Sequence, residues 1–159
     1  MTVFERYAPF VQDFIYAHRW EKLRSVQVAA GNAVFNTDKH VLLCASTASG
    51  KTEAAFFPIL TLLSEEPPAS VGALYIAPLK ALINDQFERL TDLCAEGGIP
   101  VWAWHGDVAQ SRKRKLIEHP SGIPKSLLNR SRHCCSGSIP SFRDFSAICA
   151  SLSLMKYIL

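Results

Sequence analysis

One segment constrains the fold of this 159-residue chain more than any other, the run Ala-Ser-Thr-Ala-Ser-Gly-Lys-Thr at residues 45–52. It follows a short apolar run at 41–45 and precedes a stretch with helical spacing at 53–63. A turn between a strand and a helix gathers backbone N–H groups and a helix N-terminus around one point, which favours a bound phosphate. We therefore predict a phosphate-binding loop.

The last three residues of this loop have separate chemical roles. Gly50 lets the backbone approach a phosphate without a Cβ, Lys51 supplies charge to the outer phosphates, and the Thr52 hydroxyl can hold Mg²⁺. Ala45 stands where the general pattern has its first glycine. A loop that binds nothing is the alternative, and the strand-to-helix setting argues against it. Kinases and GTPases share such a loop, so it does not define an activity alone.

The remaining sequence alternates between apolar runs and helical spacing. Residues 4–33 and 81–94 are predicted to be helical, and apolar runs at 41–45, 71–77 and 99–104 are typical of buried strands. Strands that alternate with helices at this spacing predict an α/β fold, with a parallel sheet and helices on both faces.

Further segments carry a resemblance to a known family. Residues 77–86, Ala-Pro-Leu-Lys-Ala-Leu-Ile-Asn-Asp-Gln, and residues 104–107, Trp-His-Gly-Asp, resemble motif Ia and the W-H-G-D turn of superfamily 2 helicases. The likeness is strongest to DExH-type proteins of the large helicase-related kind, whose phosphate loop often opens with alanine, as at Ala45. It covers residues 5–123 and implies an incomplete RecA-like lobe that binds ATP and Mg²⁺ and grips a strand of DNA or RNA.

The resemblance also implies the site residues. Residues 23–27, Leu-Arg-Ser-Val-Gln, are similar to the glutamine motif, whose amide donates to and accepts from adenine. Phe10 lies at the spacing of an aromatic residue that packs on adenine. The expected nucleotide contacts are Gln27, Ala45, Ser46, Thr47, Ala48, Ser49, Gly50, Lys51 and Thr52, with Thr52 on the metal. The expected nucleic-acid contacts are Pro78, Leu79, Lys80, Ala81, Gly106 and Asp107.

Several residues keep two interpretations. The basic run at 112–115 either contacts phosphates or is a solvated helix face. At least one of Trp102 and Trp104 is expected in the core, and base stacking is the alternative; His105 is expected to be structural. The five cysteines show no Cys-x-x-Cys spacing, which favours reduced, structural thiols over a zinc site or disulfides.

The resemblance ends near Ile123. Residues 1–120 carry 12 Lys+Arg and 13 Asp+Glu, whereas residues 121–159 carry 5 and 1. The strand, the T-P-E-S-L segment and the Asp-Glu-x-His box of the family are not found after it. Without that box, the chain lacks the carboxylates that hold Mg²⁺ through water and position the attacking water.

The genetic code offers an explanation. When the last base of each codon is read with the first two of the next, residues 125–136 permit Ile-Thr-Pro-Glu-Ser-Leu-Glu-Ala-Leu-Leu-Phe, and residues 153–159 permit Val-Asp-Glu-Val-His-Ser. The Glu is forced, because Met155 and Lys156 together give only GAA. We interpret residues 124–159 as an out-of-frame tail that follows a slip near Ile123 to Lys125, and we expect poor order or arbitrary packing there.

The sequence therefore predicts three segments: a helical segment with the glutamine motif at 1–35, a partial RecA-like lobe at 36–123 and a non-native tail at 124–159. The expected function is an ATP- and nucleic-acid-binding lobe of a helicase or translocase, interrupted before the DExH box and without turnover, the second RecA-like lobe being missing. The alternatives are a catalytically dead ATP-binding remnant and a phosphotransferase or GTPase. No apolar run reaches the roughly 20 residues of a membrane span, so we expect a cytoplasmic protein without a membrane partner.

Overall fold

The computed structural model describes residues 1–46, 48–77, 90–104 and 107–127. Its elements are α1 (Val3–Arg6), α2 (Pro9–Ala17), α3 (Ser25–Asn36), α4 (Lys51–Glu65), β1 (Tyr75–Ala77), the helical residues 90–96 (α5), β2 (Val101–Trp104), α6 (Gln110–Glu118) and β3 (Ile123–Leu127). The chain divides into two compact units. Of the described residues, those up to 67 and those at 90–99 form the first unit, and those at 68–77, 100–104 and 107–127 form the second.

The N-terminal part of the first unit is three helices rather than the continuous helix predicted for residues 4–33. The first break precedes Pro9, because a proline disfavours helical backbone in the residue before it. The second break lies at residues 18–24, where Arg19 has a φ of 54°. A side chain with a Cβ rarely adopts this left-handed conformation, and it cannot continue a right-handed helix.

The core of the first unit forms where α2, α3, α4 and α5 contribute apolar side chains. Val11, Phe57, Leu60, Leu90 and Leu93 are almost completely buried. The ring of Phe57 packs edge-to-face on Tyr7 and Phe14, at centroid distances of 5.7 and 5.9 Å. Such pairs stabilise beyond their buried area, so α4 is held firmly where it follows the phosphate loop.

A buried hydroxyl links the start of α2 to α4. Thr61 donates to the carbonyl of Phe57 at 2.9 Å and accepts from the backbone N–H of Ala8 at 3.1 Å. Ala8 precedes α2, where an N–H group has no partner within the helix. The side chain of Thr61 therefore satisfies a backbone donor in the interior.

The strand predicted at residues 41–45 is not formed. These residues have no regular secondary structure, and the side chain of Leu42 is 87% exposed. The prediction was wrong because apolar composition does not suffice: a strand also requires a neighbour that completes its backbone hydrogen bonds.

The described part of the second unit contains a parallel sheet of three strands in the order β1-β3-β2. The central strand β3 aligns Lys125 with Tyr75 on one side and with Ala103 on the other. Its start is fixed by Gly122, which has a φ of 64° and whose added Cβ would lie 1.9 Å from the carbonyl oxygen of Pro100. Only glycine fits this approach.

Strand β3 contains the first residues of the predicted tail. Residues 124–159 were expected to be poorly ordered or arbitrarily packed, and the first four of them, 124–127, lie in the central strand. The ladder requires only backbone groups, so side chains unsuited to a buried strand do not prevent its formation. Residues 128–159 lie outside the described residues.

The alternation of parallel strands with helices confirms the predicted α/β fold class. Within the described ranges, no helix has both the length and the apolar composition of a membrane span.

Candidate nucleotide site

The phosphate loop ends at the N-terminus of α4. Gly50 is the residue before the helix, with φ 84° and ψ 28°, and its carbonyl accepts from the N–H of Ala54 at 2.9 Å. Lys51 is the first helical residue. The free N–H groups and the positive end of the helix dipole therefore lie where the loop ends, which is the arrangement that attracts an anion.

The side chain of Lys51 binds the loop itself. Its Nζ donates to the carbonyl oxygens of Ala45 and Ser46, at 2.7 and 2.6 Å. These bonds hold the ammonium group beside the loop backbone. The ammonium group can exchange these two carbonyl acceptors for phosphate oxygens, which are stronger acceptors because they are charged.

The middle of the loop has an unusual backbone. Ala48 has a φ of 58°, in the left-handed region that a residue with a Cβ occupies at a cost of roughly 1–2 kcal/mol. Ser49 follows with a buried hydroxyl for which the described residues supply no partner. Thr47 lies outside the described residues. Left-handed residues in a short turn point successive N–H groups to one side, as anion-binding nests do.

Gln27 lies beneath this loop. It is 1% exposed, and its Oε1 accepts from the backbone N–H of Arg24 at 2.9 Å. Its Nε2 is buried and has no partner among the described residues. A Cβ added to Gly50 would lie 2.7 Å from this nitrogen. The glycine therefore permits close packing on Gln27, and the unpaired amide donor marks a position where a ligand acceptor can bind.

Arg24 reaches the loop from the N-terminus of α3. Its Nη1 donates to the carbonyl oxygen of Ala48. Sequence reasoning assigned no role to Arg24, although it lies within the glutamine motif. The sequence contains one signal for Arg24, its position three residues before Gln27. No sequence pattern, however, predicts which group an exposed arginine binds.

Phe10, expected near adenine, packs on another part of the first unit. Its ring lies against Gly97, where an added Cβ would be 2.8 Å from Cε2. Gly97 follows α5, and its N–H donates to the carbonyl of Leu93 at 3.1 Å. The described contact of Phe10 is thus with the end of α5.

Of the predicted nucleic-acid contacts, the structure describes Asp107, which is exposed. The others lie outside the described residues, as does His105; they are Pro78, Leu79, Lys80, Ala81 and Gly106.

The predicted metal contact, Thr52, is half-buried in the first turn of α4. Within the described ranges, no group of three or more His, Cys, Asp or Glu residues could hold a metal ion.

The residues with two interpretations divide between surface and core. Trp104 is 9% exposed and packs with Val71 and Leu116, so the expectation of a core tryptophan is confirmed. In the basic run, Arg112, Arg114 and Lys115 are exposed, whereas Lys113 is 7% exposed. The run therefore lies on an exposed helix face with one cation turned inward, which is compatible with both interpretations.

Known proteins are similar to this chain in both sequence and fold. The DEAD/DEAH box helicase family matches residues 24–134. "DExH-box ATP-dependent RNA helicase DExH12" of Arabidopsis thaliana is 44% identical over 62 residues, which is 39% of this chain and 3% of that protein. "Activating signal cointegrator 1 complex subunit 3" of Rattus norvegicus is 37% identical over 123 residues, which is 72% of this chain and 6% of that protein.

Solved structures of the DUF1998 helicase MrfA share the fold. One has a TM-score of 0.72 at 23% identity and covers 96% of this chain and 23% of that chain. Another, bound to DNA and AMPPNP, has a TM-score of 0.68 at 24% identity and covers 77% of this chain and 17% of that chain.

The fold is therefore that of a RecA-like helicase lobe, and the chain belongs to the DEAD/DEAH box helicase family. It spans only a few per cent of the length of the curated relatives above.

Proposed function

We propose that this chain is the ATP-binding lobe of a nucleic-acid-dependent helicase or translocase, and that it holds nucleotide without turnover. The observation that carries the proposal is the cradle formed by Gln27, Gly50 and Lys51. A buried amide donor without a partner among the described residues, a glycine packed on it and a lysine at a helix N-terminus lie next to one another in the first unit. Such donors suit a base at one end and phosphates at the other.

Each residue has a separate part in nucleotide binding. Gln27 Nε2 donates to the base, because no described residue accepts from it. The N–H groups at 48–51 surround the phosphates, and Lys51 exchanges the carbonyls of Ala45 and Ser46 for phosphate oxygens. Thr52 would hold Mg²⁺ with its hydroxyl, and the ion would neutralise charge on the bound phosphates.

Nucleic-acid binding by the lobe is a further part of the proposal. It is supported by family membership and by the relative MrfA, whose structure was solved bound to DNA and AMPPNP. The proposed contacts are the segment at 78–81 with Gly106 and Asp107. A turn that follows a strand presents N–H groups and the Lys80 cation to a backbone phosphate.

The proposal includes a change of reading frame. A net loss of one nucleotide near the codons for residues 123–125 converts the family segment into the present tail. The composition of β3 supports this position. Ile123 is fully buried, as expected in a central strand, but Pro124 and Lys125 follow it. A proline cannot donate to a ladder and is atypical of a central strand, and burial lowers the pKa of Lys125.

The other frame supplies residues that suit such a strand. The codons for Lys125 and Ser126 permit Ile in it. Farther along, the codons for residues 150–153 permit three consecutive valines directly before Val-Asp-Glu-Val-His. An uninterrupted β-branched run is typical of a buried parallel strand, and the carboxylates that the chain lacks follow directly after it.

Nucleotide affinity tests the loop assignment. Lys51→Ala is expected to reduce the affinity of the full chain for Mg²⁺-ADP by at least roughly tenfold, as one charge-assisted contact is lost. Lys22→Ala is the matched control, since Lys22 is an exposed lysine of the same unit, and it should bind as the unchanged chain does. Isothermal titration calorimetry measures both. Equal affinity in the two variants would show that the loop does not hold the phosphates.

Sequencing the encoding DNA tests the reading frame. We expect the shifted frame to encode Ile-Thr-Pro-Glu-Ser-Leu and, farther along, Asp-Glu-Val-His without an intervening stop codon. A stop codon or different residues at those codons would refute the frame change while leaving the nucleotide site untouched.

A further inference from the structure

We propose that Arg24 is a positioning residue that holds the phosphate loop in the curvature required by the nucleotide's phosphates. The ligand in this inference rests on the proposed function. The restraint on the loop does not, because it is present in the protein alone.

The first observation is that Arg24 is fixed at one end and attached to the loop at the other. Its backbone N–H donates to the Oε1 of the buried Gln27 at 2.9 Å, and its Nη1 donates to the carbonyl oxygen of Ala48. The stem passes close to the loop, with Cδ 3.4 Å from a Cβ added to Gly50. Arg24 therefore connects the N-terminus of α3 to the centre of the loop.

The second observation is the backbone of the residue that Arg24 binds. Ala48 has a φ of 58°, a conformation in which its Cβ crowds the following carbonyl oxygen. Such a conformation persists only where the surrounding structure enforces it. The guanidinium of Arg24 donates a hydrogen bond to the carbonyl of Ala48, so it restrains this left-handed residue.

The restraint has a consequence for phosphate binding. In a trans peptide, the carbonyl of one residue and the N–H of the next point in opposite directions. Holding the carbonyl of Ala48 therefore also fixes the direction of the N–H of Ser49. With Gly50 also left-handed, at a φ of 84°, the short turn keeps the form of an anion-binding nest. Loss of Arg24 lets the peptide plane rotate and reduces the affinity for phosphates.

A double-mutant cycle separates this role from direct contact with the nucleotide. Arg24→Ala is expected to weaken Mg²⁺-ADP binding by the full chain roughly three- to tenfold, the range of one charge-assisted hydrogen bond at an exposed site. Glycine adopts the left-handed conformation without strain, so in an Ala48→Gly background the same change should have an effect of less than about twofold. An equal loss in both backgrounds would overturn the proposal and indicate direct contact with the ligand.

The conservative variant gives a second criterion. Arg24→Lys keeps the charge but loses the planar fork and the reach of the guanidinium. We expect it to restore less than half of the lost binding free energy. Full restoration would mean that charge alone accounts for the effect, which contradicts the positioning role.

Backbone dynamics test the restraint without any ligand. In the absence of nucleotide, the NMR order parameters of the backbone amides at residues 48–50 should be lower in Arg24→Ala than in the unchanged chain, because the peptide plane is freed. Lys22→Ala should leave them unchanged. Unaltered order parameters in Arg24→Ala would refute the inference. Failure of the unchanged chain to bind ADP would instead refute the proposed function, so the two results are distinguishable.

Discussion

At the scale of single residues, the loop at 45–52 contains a lysine that binds carbonyl groups of the loop and an alanine with left-handed backbone. The Nζ of Lys51 holds Ala45 and Ser46, and the guanidinium of Arg24 holds Ala48. Both cations therefore restrain the backbone that we propose as the nucleotide contact. Of these residues, only Arg24 escaped the sequence analysis, because its partner lies 24 residues away and no spacing rule connects them.

The strain at Ala48 gives a prediction for stability. Ala48→Gly is expected to raise the free energy of unfolding by roughly 0.5–1 kcal/mol, because relief of the left-handed alanine exceeds the entropy that glycine adds to the unfolded chain. Ala45→Gly is the control, since Ala45 is not among the described residues with positive φ, and it should stabilise nothing. Urea denaturation followed by circular dichroism measures both. A loss of stability in Ala48→Gly would contradict the left-handed conformation of Ala48.

The two described cysteines predict different thiol reactivity. Cys44 is exposed, whereas burial raises the pKa of Cys94 to about 11. The thiolate is the reactive form. In a variant with Cys134, Cys135 and Cys149 changed to Ser, a disulfide reagent at pH 8 should therefore label one thiol rapidly and the second only in denaturant. Cys44→Ser should abolish the rapid phase, and a rapid phase that persists would show that Cys94 is accessible.

At the scale of elements, apolar runs predicted strands well only where a neighbouring strand was available. Residues 71–77 and 99–104 contain β1 and β2, and both pair with β3. The equally apolar run at 41–45 is not a strand. Conversely, β3 includes Pro124 and Lys125, which no strand pattern would select. Local composition alone thus predicted neither burial nor pairing at residues 41–45, because both depend on contacts distant in sequence.

The helices show the same limit. Helical spacing over residues 4–33 correctly predicted helices, but it did not locate the breaks before Pro9 and at residues 18–24. The proline was a visible signal. The left-handed backbone of Arg19 was not, because arginine has no preference for that conformation.

Lys125 gives a prediction that depends on pH. Burial lowers its pKa in the folded chain, so the unfolded chain binds more protons between the folded and unfolded pKa values. Its contribution to stability therefore improves as pH rises through that window and is least favourable below it. Lys125→Ile should stabilise the full chain at pH 7, and its advantage should shrink as pH approaches the unfolded pKa.

Urea denaturation at several pH values, followed by the fluorescence of the tryptophans, measures this difference. Lys115→Ile is the control, because Lys115 is an exposed lysine of the same unit. If the gain in stability of Lys125→Ile did not vary with pH, the lowered pKa of Lys125 would be contradicted.

At the scale of the whole molecule, the fold and the family were predictable from the sequence, and the matches to helicases confirm both. The extent of the ordered lobe was less predictable. The boundary set at residue 123 lies inside β3, which continues to Leu127. The described sheet therefore continues past the proposed change of frame, because backbone hydrogen bonds tolerate the first foreign residues.

Shortened chains test where the lobe ends. A chain of residues 1–127 should melt at about the same temperature as the full chain, since it keeps all three strands. A chain of residues 1–122 lacks β3, which pairs with both neighbours, and the cooperative transition of the second unit should disappear. Differential scanning calorimetry distinguishes them. A large loss of stability in the 1–127 chain would show that later residues are needed for the fold.

We propose that the chain retains a nucleotide cradle and lacks the carboxylates for catalysis. Steady-state ATP hydrolysis by the full chain, with and without single-stranded DNA and RNA, is the decisive measurement. We expect the full chain to bind Mg²⁺-ADP but to hydrolyse ATP no faster than Lys51→Ala, whichever strand is present. Hydrolysis that a strand stimulates and that Lys51→Ala abolishes would contradict it.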